Sequence, residues 1–248
     1  MATLETLHAR DASRSGAVSI LAYCSLLFGG ASATAFAGEH NELTQAEIAA
    51  GWTLLFDGKS LDEWRNYGSD ELDDGWRVAD DAFYLAAGGG GDIVTRKSWG
   101  DFELVLDWRI SQGGNSGIFI LVDETDAPIY HSAPEIQILD NERHSDREID
   151  SHRSGSLYDL VAAHPSAQKP AGEWNTVRIR LDDGLLNIWQ NGVPTTTLVI
   201  GSSAWKMLVA NSKFADWAAF GASAGGRIGL QDHGDTVWFR NVKIRELD

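Results

Sequence analysis

The sequence predicts an all-β protein, a single two-sheet sandwich or jelly roll, and three observations carry that prediction. Short runs of alternating polar and apolar residues recur along the chain. In the clearest, Phe102 to Ile110, Phe102, Leu104, Leu106, Trp108 and Ile110 share one face, while Glu103, Val105, Asp107 and Arg109 share the other. Turn dipeptides separate the runs, among them Asp183-Gly184 and Asn191-Gly192 at hairpin positions. Helical spacing dominates only residues 203–218, where Trp205, Leu208, Val209 and Phe214 or Trp217 recur three to four apart, so one short helix is expected there. Many short strands punctuated by turns pack most simply as two layers around one core.

Taken in order, the chain opens with a segment that does not belong to this pattern. His8, Arg10 and Arg14 precede an apolar run from Ala17 to Phe28, and small residues follow to Ala35-Phe36-Ala37. This is the layout of a secretory signal peptide over residues 1–37, with export to the periplasm or the exterior expected. The run is too short for a transmembrane span. Leu21-Ala22-Tyr23-Cys24 fits a lipoprotein site poorly, because Tyr23 stands where a small residue is wanted. Residues 38–50 read as a leader, with a short helix capped by Thr44. Residues 51–248 then form the single expected domain.

Within it, GWTLLFDGKSLDEW offers a strand, an Asp-Gly turn and a second apolar segment. WRVADDAFYLAAGGGGDIVTRKSW offers two short strands around Gly88 to Gly91. That glycine run lacks the strand–helix context of a phosphate cradle and reads as a flexible hairpin. QGGNSGIFILVD turns tightly into another strand. About 34 mostly polar residues follow Asp140, a length that is more often functional than idle. WNTVRIRLDDGLLNIWQNGVPTTTLVI is a strand meander, and GRIGLQDHGDTVWFRNVKIREL reads as a closing hairpin about Gly234-Asp235.

Composition narrows the function. The formal net charge is −16, and without residues 1–37 it is still −16, with 34 acidic against 18 basic residues. Such a surface repels nucleic acid and anionic lipid. Cys24 is the only cysteine, so the expected mature chain has no disulfide or thiol chemistry. All ten tryptophans follow residue 50, a pattern that suits sugar stacking as well as an aromatic core.

The stretch Pro134 to Asn141 organises the candidate site. Ile136 and Ile138 alternate with Glu135 and Gln137, which predicts a strand with a buried face and a polar face. Asp140 has the wrong parity to join Glu135 unless a bulge near Leu139 turns it round. The same alternation places Gln231 and His233 opposite Ile228 and Leu230, Arg178 opposite Val177 and Ile179, and Trp238 opposite Val237 and Phe239. One open sheet face is expected to carry Glu135, Gln137, Gln231, His233, Arg178 and Trp238 together. His152 and His164 read as loop residues without a special role.

The segments LFDGKSLDEW, GGNSGIFI, PEIQILDNERHSD, GSLYDL, GEWNTVRI, IWQNGV, NSKFADW and GRIGLQDHGDTVWFRNVKIREL, in this order over roughly residues 50–247, resemble the 3-keto-disaccharide hydrolase domain family. The resemblance implies a concanavalin-like jelly roll. It also implies cleavage of 3-keto-glycosides, by elimination across C1–C2 and hydration of the resulting 2-hydroxyglycal. The C3 ketone acidifies the C2 proton, so a modest base, an oxyanion stabiliser and an acid for the leaving group suffice. Carried over by position, Glu135, Gln137, Asp140, His144 and His233 are the catalytic candidates, with His144 or His233 as base or acid because imidazole titrates near neutrality. Lys213 is the candidate to polarise a carbonyl and Tyr158 to donate a proton. Arg143 and Asp146 flank the set, and Gln231, Trp238, Arg178 and Asn115 are candidate substrate contacts. A divalent cation is the one cofactor these residues leave open, through Glu135, Asp140, His144 and Asp146, although their spacing matches no recognised metal signature.

Two other readings are consistent with the sequence. Glu135-Ile-Gln-Ile-Leu-Asp140 also resembles the catalytic strand of laminarinase-type retaining glycosidases, whose two carboxylates lie about 5 Å apart. Gln137 and the short Asp140 depart from that pattern. The chain could instead be a lectin-like module that binds glycans through Trp238 and Trp189, since a fold alone does not establish catalysis.

Overall fold

A computed structural model describes residues 40–124 and 128–247, so the expected signal peptide lies outside the described residues. The leader forms helix α1 (Gln45–Ala49). Thr44 Oγ1 accepts the Glu47 N–H at 3.2 Å, while the Glu47 carboxylate accepts the Thr44 N–H at 2.8 Å. This reciprocal capping satisfies donors that a helix N-terminus leaves open.

Thirteen strands follow among the described residues: β1 (Thr53–Leu54), β2 (Trp64–Asn66), β3 (Trp76–Ala79), β4 (Ala82–Leu85), β5 (Ile93–Thr95), β6 (Phe102–Ile110), β7 (Asn115–Val122), β8 (Glu135–Leu139), β9 (Asn175–Asp182), β10 (Leu185–Gln190), β11 (Val193–Val199), β12 (Arg227–Leu230) and β13 (Val237–Glu246). One antiparallel sheet runs β11-β10-β9-β6-β13-β4-β3, with β1 also paired to β13. The other runs β2-β5-β12-β7-β8. The two-sheet sandwich expected from alternation is therefore present. Its core is aromatic: Trp64, Trp108, Phe83, Phe102 and Phe239 are fully buried, and Phe83 stacks on Phe239 at 5.4 Å. Each such side chain stabilises the fold by roughly 1.5–3 kcal/mol through apolar burial.

Strand β6 has the predicted bounds. The Asp183-Gly184 and Asn191-Gly192 pairs all have positive φ, as two-residue hairpin turns between twisted strands require. The region around Gly88 to Gly91 holds three strands rather than two, because Asp80 and Asp81 also adopt positive φ and close a tight β3–β4 hairpin.

Two expectations are corrected. Helix α2 spans only Ser203–Ala210, after an N-cap at Ser202. Beyond it the Asn211 side chain donates to the Met207 carbonyl and Ser212 to the Val209 carbonyl, local bonds that compete with helix continuation. Phe214 and Phe220 then stack at 4.0 Å in a turn-rich segment. The final segment is not a hairpin: β12 pairs with β5 and β7 in the five-stranded sheet, whereas β13 pairs with β6 and β4 in the other. Residues 231–236 cross between the layers. Among the described residues no helix is long and apolar enough to cross a membrane.

Candidate active site

Strands β7 and β8 are buried along their whole lengths, so both of their faces are covered. One face enters the core through Ile118, Ile120, Ile136 and Ile138. Along the outer edge of β8 the long polar loop folds back: Tyr158 N–H donates to the Glu135 carbonyl at 2.9 Å, Gln137 N–H to the Ser156 carbonyl at 3.0 Å, and Gly155 N–H to the Gln137 carbonyl at 2.9 Å. The loop thus occupies the free edge of β8, which would otherwise leave backbone groups unpaired.

A cavity of about 260 Å3 opens here, lined by Asn115, Tyr130, Glu135, Gln137, Tyr158, Lys213, Gln231 and His233. Gly117 makes room for it. A Cβ at that position would lie 2.1 Å from Glu135 Oε1, so the carboxyl lies flush against the sheet only because β7 has no side chain there. Gln137 Nε2 donates to Asn115 Oδ1 at 3.3 Å, and Gln137 Oε1 and Gln231 Oε1 are buried without a hydrogen-bond partner. Two unsatisfied amide oxygens in one cavity suit a ligand rich in hydroxyl donors. The Gln231 N–H donates to the Gly117 carbonyl at 3.0 Å, which sets β12 beside β7 and brings Gln231 and His233 to the cavity.

Burial pushes the Glu135 carboxyl up to about 8, against the opposing pull of Lys213. Burial lowers the Lys213 ammonium, and Glu135, Asp159 and Asp146 oppose that shift. Lys213 remains accessible at the rim and lies 4.1 Å from the centre of the Tyr158 ring. Burial also raises the Tyr158 phenol, with Asp146 and Glu135 adding to it, so the hydroxyl keeps its proton and serves as a donor. His144 does not line the cavity. It meets His233 edge-on at 6.3 Å, and its Nδ1 accepts the Asp146 N–H at 3.1 Å.

Three expected site residues lie elsewhere. Asp140 is sealed outside the cavity: its carboxylate accepts the Gly113 and Glu142 N–H groups at 2.7 and 2.9 Å and pairs with Arg143 at 3.3 Å. Burial acts to raise its pKa, but these donors outweigh it and hold the carboxyl below the usual range. The β7–β8 register runs without a shift from Phe119↔Glu135 to Asn115↔Leu139, so the bulge that would have turned Asp140 round does not occur. Glu135 and Asp140 therefore do not form the facing pair of a retaining glycosidase. Arg178 and Trp238 stand on the eight-stranded sheet, Arg178 bound to Glu103 at 2.5 Å and Trp238 beside Arg109. The single polar face is thus two faces, because β12 and β13 belong to different layers. As for a divalent cation, no group of three His, Cys, Asp or Glu side chains is placed to hold one among the described residues, and Asp140 is already taken by backbone donors.

The sequence reading missed Tyr130 and His152. Tyr130 lies at the cavity mouth, 5.7 Å from Trp217. His152 is buried, stacks on Tyr158 at 4.3 Å and contacts Asp159 Oδ1 at 3.1 Å, while Asp159 Oδ2 accepts the Lys213 N–H at 2.9 Å. It braces both Tyr158 and Lys213. No periodicity marks a histidine inside an irregular loop, so only the three-dimensional arrangement reveals it.

Comparisons with known proteins agree with this architecture. A 3-keto-disaccharide hydrolase of Bacteroides thetaiotaomicron is 36% identical over 243 residues, covering 86% of this chain and 84% of that protein. A crystal structure from Parabacteroides distasonis, provisionally named a glycosyl hydrolase, superposes with a TM-score of 0.79 at 33% identity, over 85% of this chain and 100% of that one. A second from the same organism, with the same provisional name, gives 0.61 at 27% identity, over 79% and 99%. A Bacillus subtilis protein with a galectin-like fold gives 0.50 at 14% identity, over 74% and 89%, a likeness of fold alone. The family model described as the 3-keto-alpha-glucoside-1,2-lyase-like domain matches residues 51–245. With the family model spanning most of the chain and a relative 36% identical to it, the chain belongs to the 3-keto-alpha-glucoside-1,2-lyase-like domain family.

Proposed function

We propose that this protein is an exported carbohydrate-active enzyme that cleaves 3-keto-glycosides by elimination across C1–C2, followed by hydration of the enone. The observation that carries the reading is the pairing, in one sugar-sized cavity, of a buried carboxyl that is protonated at neutral pH with an imidazole and an ammonium. Family membership and the 3-keto-disaccharide hydrolase relative support it.

In this mechanism His233 removes the C2 proton, and the electron pair moves onto the C3 oxygen as an enolate. Lys213 and the Tyr158 hydroxyl stabilise that oxygen, charge and donor together being worth most where water is excluded. The enolate re-forms the ketone as the C1–O bond breaks, leaving a C1=C2 double bond. Glu135 gives its proton to the departing oxygen. In the second half the Glu135 carboxylate takes a proton from a water as it adds at C1, and the electron pair passes to the C3 oxygen as an enolate. The His233 imidazolium returns the proton to C2, so the free 3-keto sugar leaves with both groups reset. Asn115, Gln137 and Gln231 orient the ring hydroxyls.

The test is to incubate the protein with a 3-keto-glucoside and follow release of the aglycone and appearance of the free 3-keto sugar. Release of both products, abolished in His233→Ala, is expected. Saturable binding with no product after prolonged incubation overturns the enzyme reading in favour of a glycan-binding module.

A further inference from the structure

The outer face of the eight-stranded sheet holds a second cavity, of about 350 Å3, remote from the first in topology and unlike it in chemistry. Register builds it: Arg109 on β6 stands opposite Trp238 on β13, which stands opposite Tyr84 on β4. Trp174, just before β9, closes the other side. The Arg109 guanidinium lies between two indoles, 4.9 Å from Trp174 and 4.4 Å from Trp238, and Arg240 covers Trp174 at 4.1 Å.

The cationic balance of this pocket is unusual for a chain of net charge −16. The Arg109 side chain makes no hydrogen bond or ion pair among the described residues, and its buried Nε has no partner. Arg240 is partly engaged: one terminal nitrogen meets His40 Nε2 at 2.8 Å, and its Nε shares the Asp107 carboxylate, 3.4 Å away, with Thr176 at 2.6 Å and Asn241 at 2.7 Å. Asp80, the one acid among the lining residues, favours the Arg109 charge through space but is not hydrogen-bonded to it. A guanidinium partly stripped of water by aromatic rings, with no acceptor of its own, is an unmet demand for a planar oxyanion, which its fork of donors fits in bidentate fashion.

We propose that this pocket is a second saccharide site, one that takes an acidic sugar whose carboxylate meets Arg109 and Arg240 while its ring rests among Trp174, Trp238 and Tyr84. The aromatic walls supply apolar contact for the ring's C–H face, and the guanidinium pair supplies selection for charge. The proposal stands whether or not the first cavity is catalytic, since no residue is shared.

Isothermal titration calorimetry on the full chain tests it, with glucuronate, glucose and inorganic sulfate as separate titrants at millimolar concentration. Glucuronate is expected to bind well ahead of glucose and sulfate. Arg109→Gln should weaken it at least tenfold, Arg109→Lys should weaken it less, and Glu135→Gln should leave it within twofold. Circular dichroism melting establishes which variants are folded. If Arg109→Gln is not, Arg240→Gln replaces it with the same expected loss. Absence of glucuronate binding overturns the proposal, as does glucose binding equally well. Sulfate binding as tightly as glucuronate overturns the saccharide assignment and leaves a plain anion trap. Binding that survives every folded arginine variant but fails in Glu135→Gln places the sugar in the first cavity and also overturns it.

Discussion

Glu135 shows how far a single residue's environment decides its role. Because burial holds its pKa at about 8, it carries its proton at neutral pH, as the acid of the proposed mechanism must. Turnover should therefore fall on the alkaline side through about pH 8, and Glu135→Gln should lower kcat about 100-fold and abolish that limb, as a pH–rate profile would show. The same shift predicts a stability effect. A carboxyl whose folded pKa lies above its unfolded value favours the fold most at low pH, and that benefit declines as pH rises from about 4.5 to about 8. The melting temperature of the native chain should drop relative to Glu135→Gln across that window and then run parallel to it. Gly117 tests the geometry: in Gly117→Ala the new Cβ must displace the carboxyl, at a cost of about 1–3 kcal/mol in urea unfolding and a much larger loss of turnover. Glu135 and Gln137 were legible because two polar side chains alternating with isoleucines need a reason. Asp140 was not, since its parity places it off the cavity and only an unrealised bulge could have corrected that.

At the scale of elements, the crossover from β12 to β13 is the feature local pattern could not reveal. Gly234-Asp235 between alternating runs looks like any hairpin, but long-range pairing sends the two strands to different sheets. Asp232 secures the crossing: its carboxylate accepts the N–H groups of Gly90, Gly91 and Gly234, each at 2.9 Å. Asp232→Ala should destabilise the fold by about 2–4 kcal/mol in urea unfolding, because charged acceptors make the stronger hydrogen bonds, and it should also impair turnover by loosening His233. Arg178 provides the contrast. It lies on β9 of the other sheet, bound to Glu103, so Arg178→Ala should leave kcat/KM for a 3-keto-glucoside within about twofold. Helix α2 was legible in existence but not in length, since the aromatic spacing continued past the point where Asn211 and Ser212 divert the backbone bonds.

For the whole molecule, alternation and turn residues were enough to give two antiparallel layers, because the period of two is a local property that each strand states for itself. Which strands share a layer is a non-local property, and there the reading merged two surfaces into one. The candidate site residues Gln231 and His233 stand at the five-stranded layer, and only a few residues later Trp238 and Arg240 stand at the other. The motif GRIGLQDHGDTVWFRN, continuous in the sequence, is therefore two half-motifs that reach different cavities. Among relatives its first half should change in step with the sugar that is cleaved, and its second half should drift or be retained on an independent schedule.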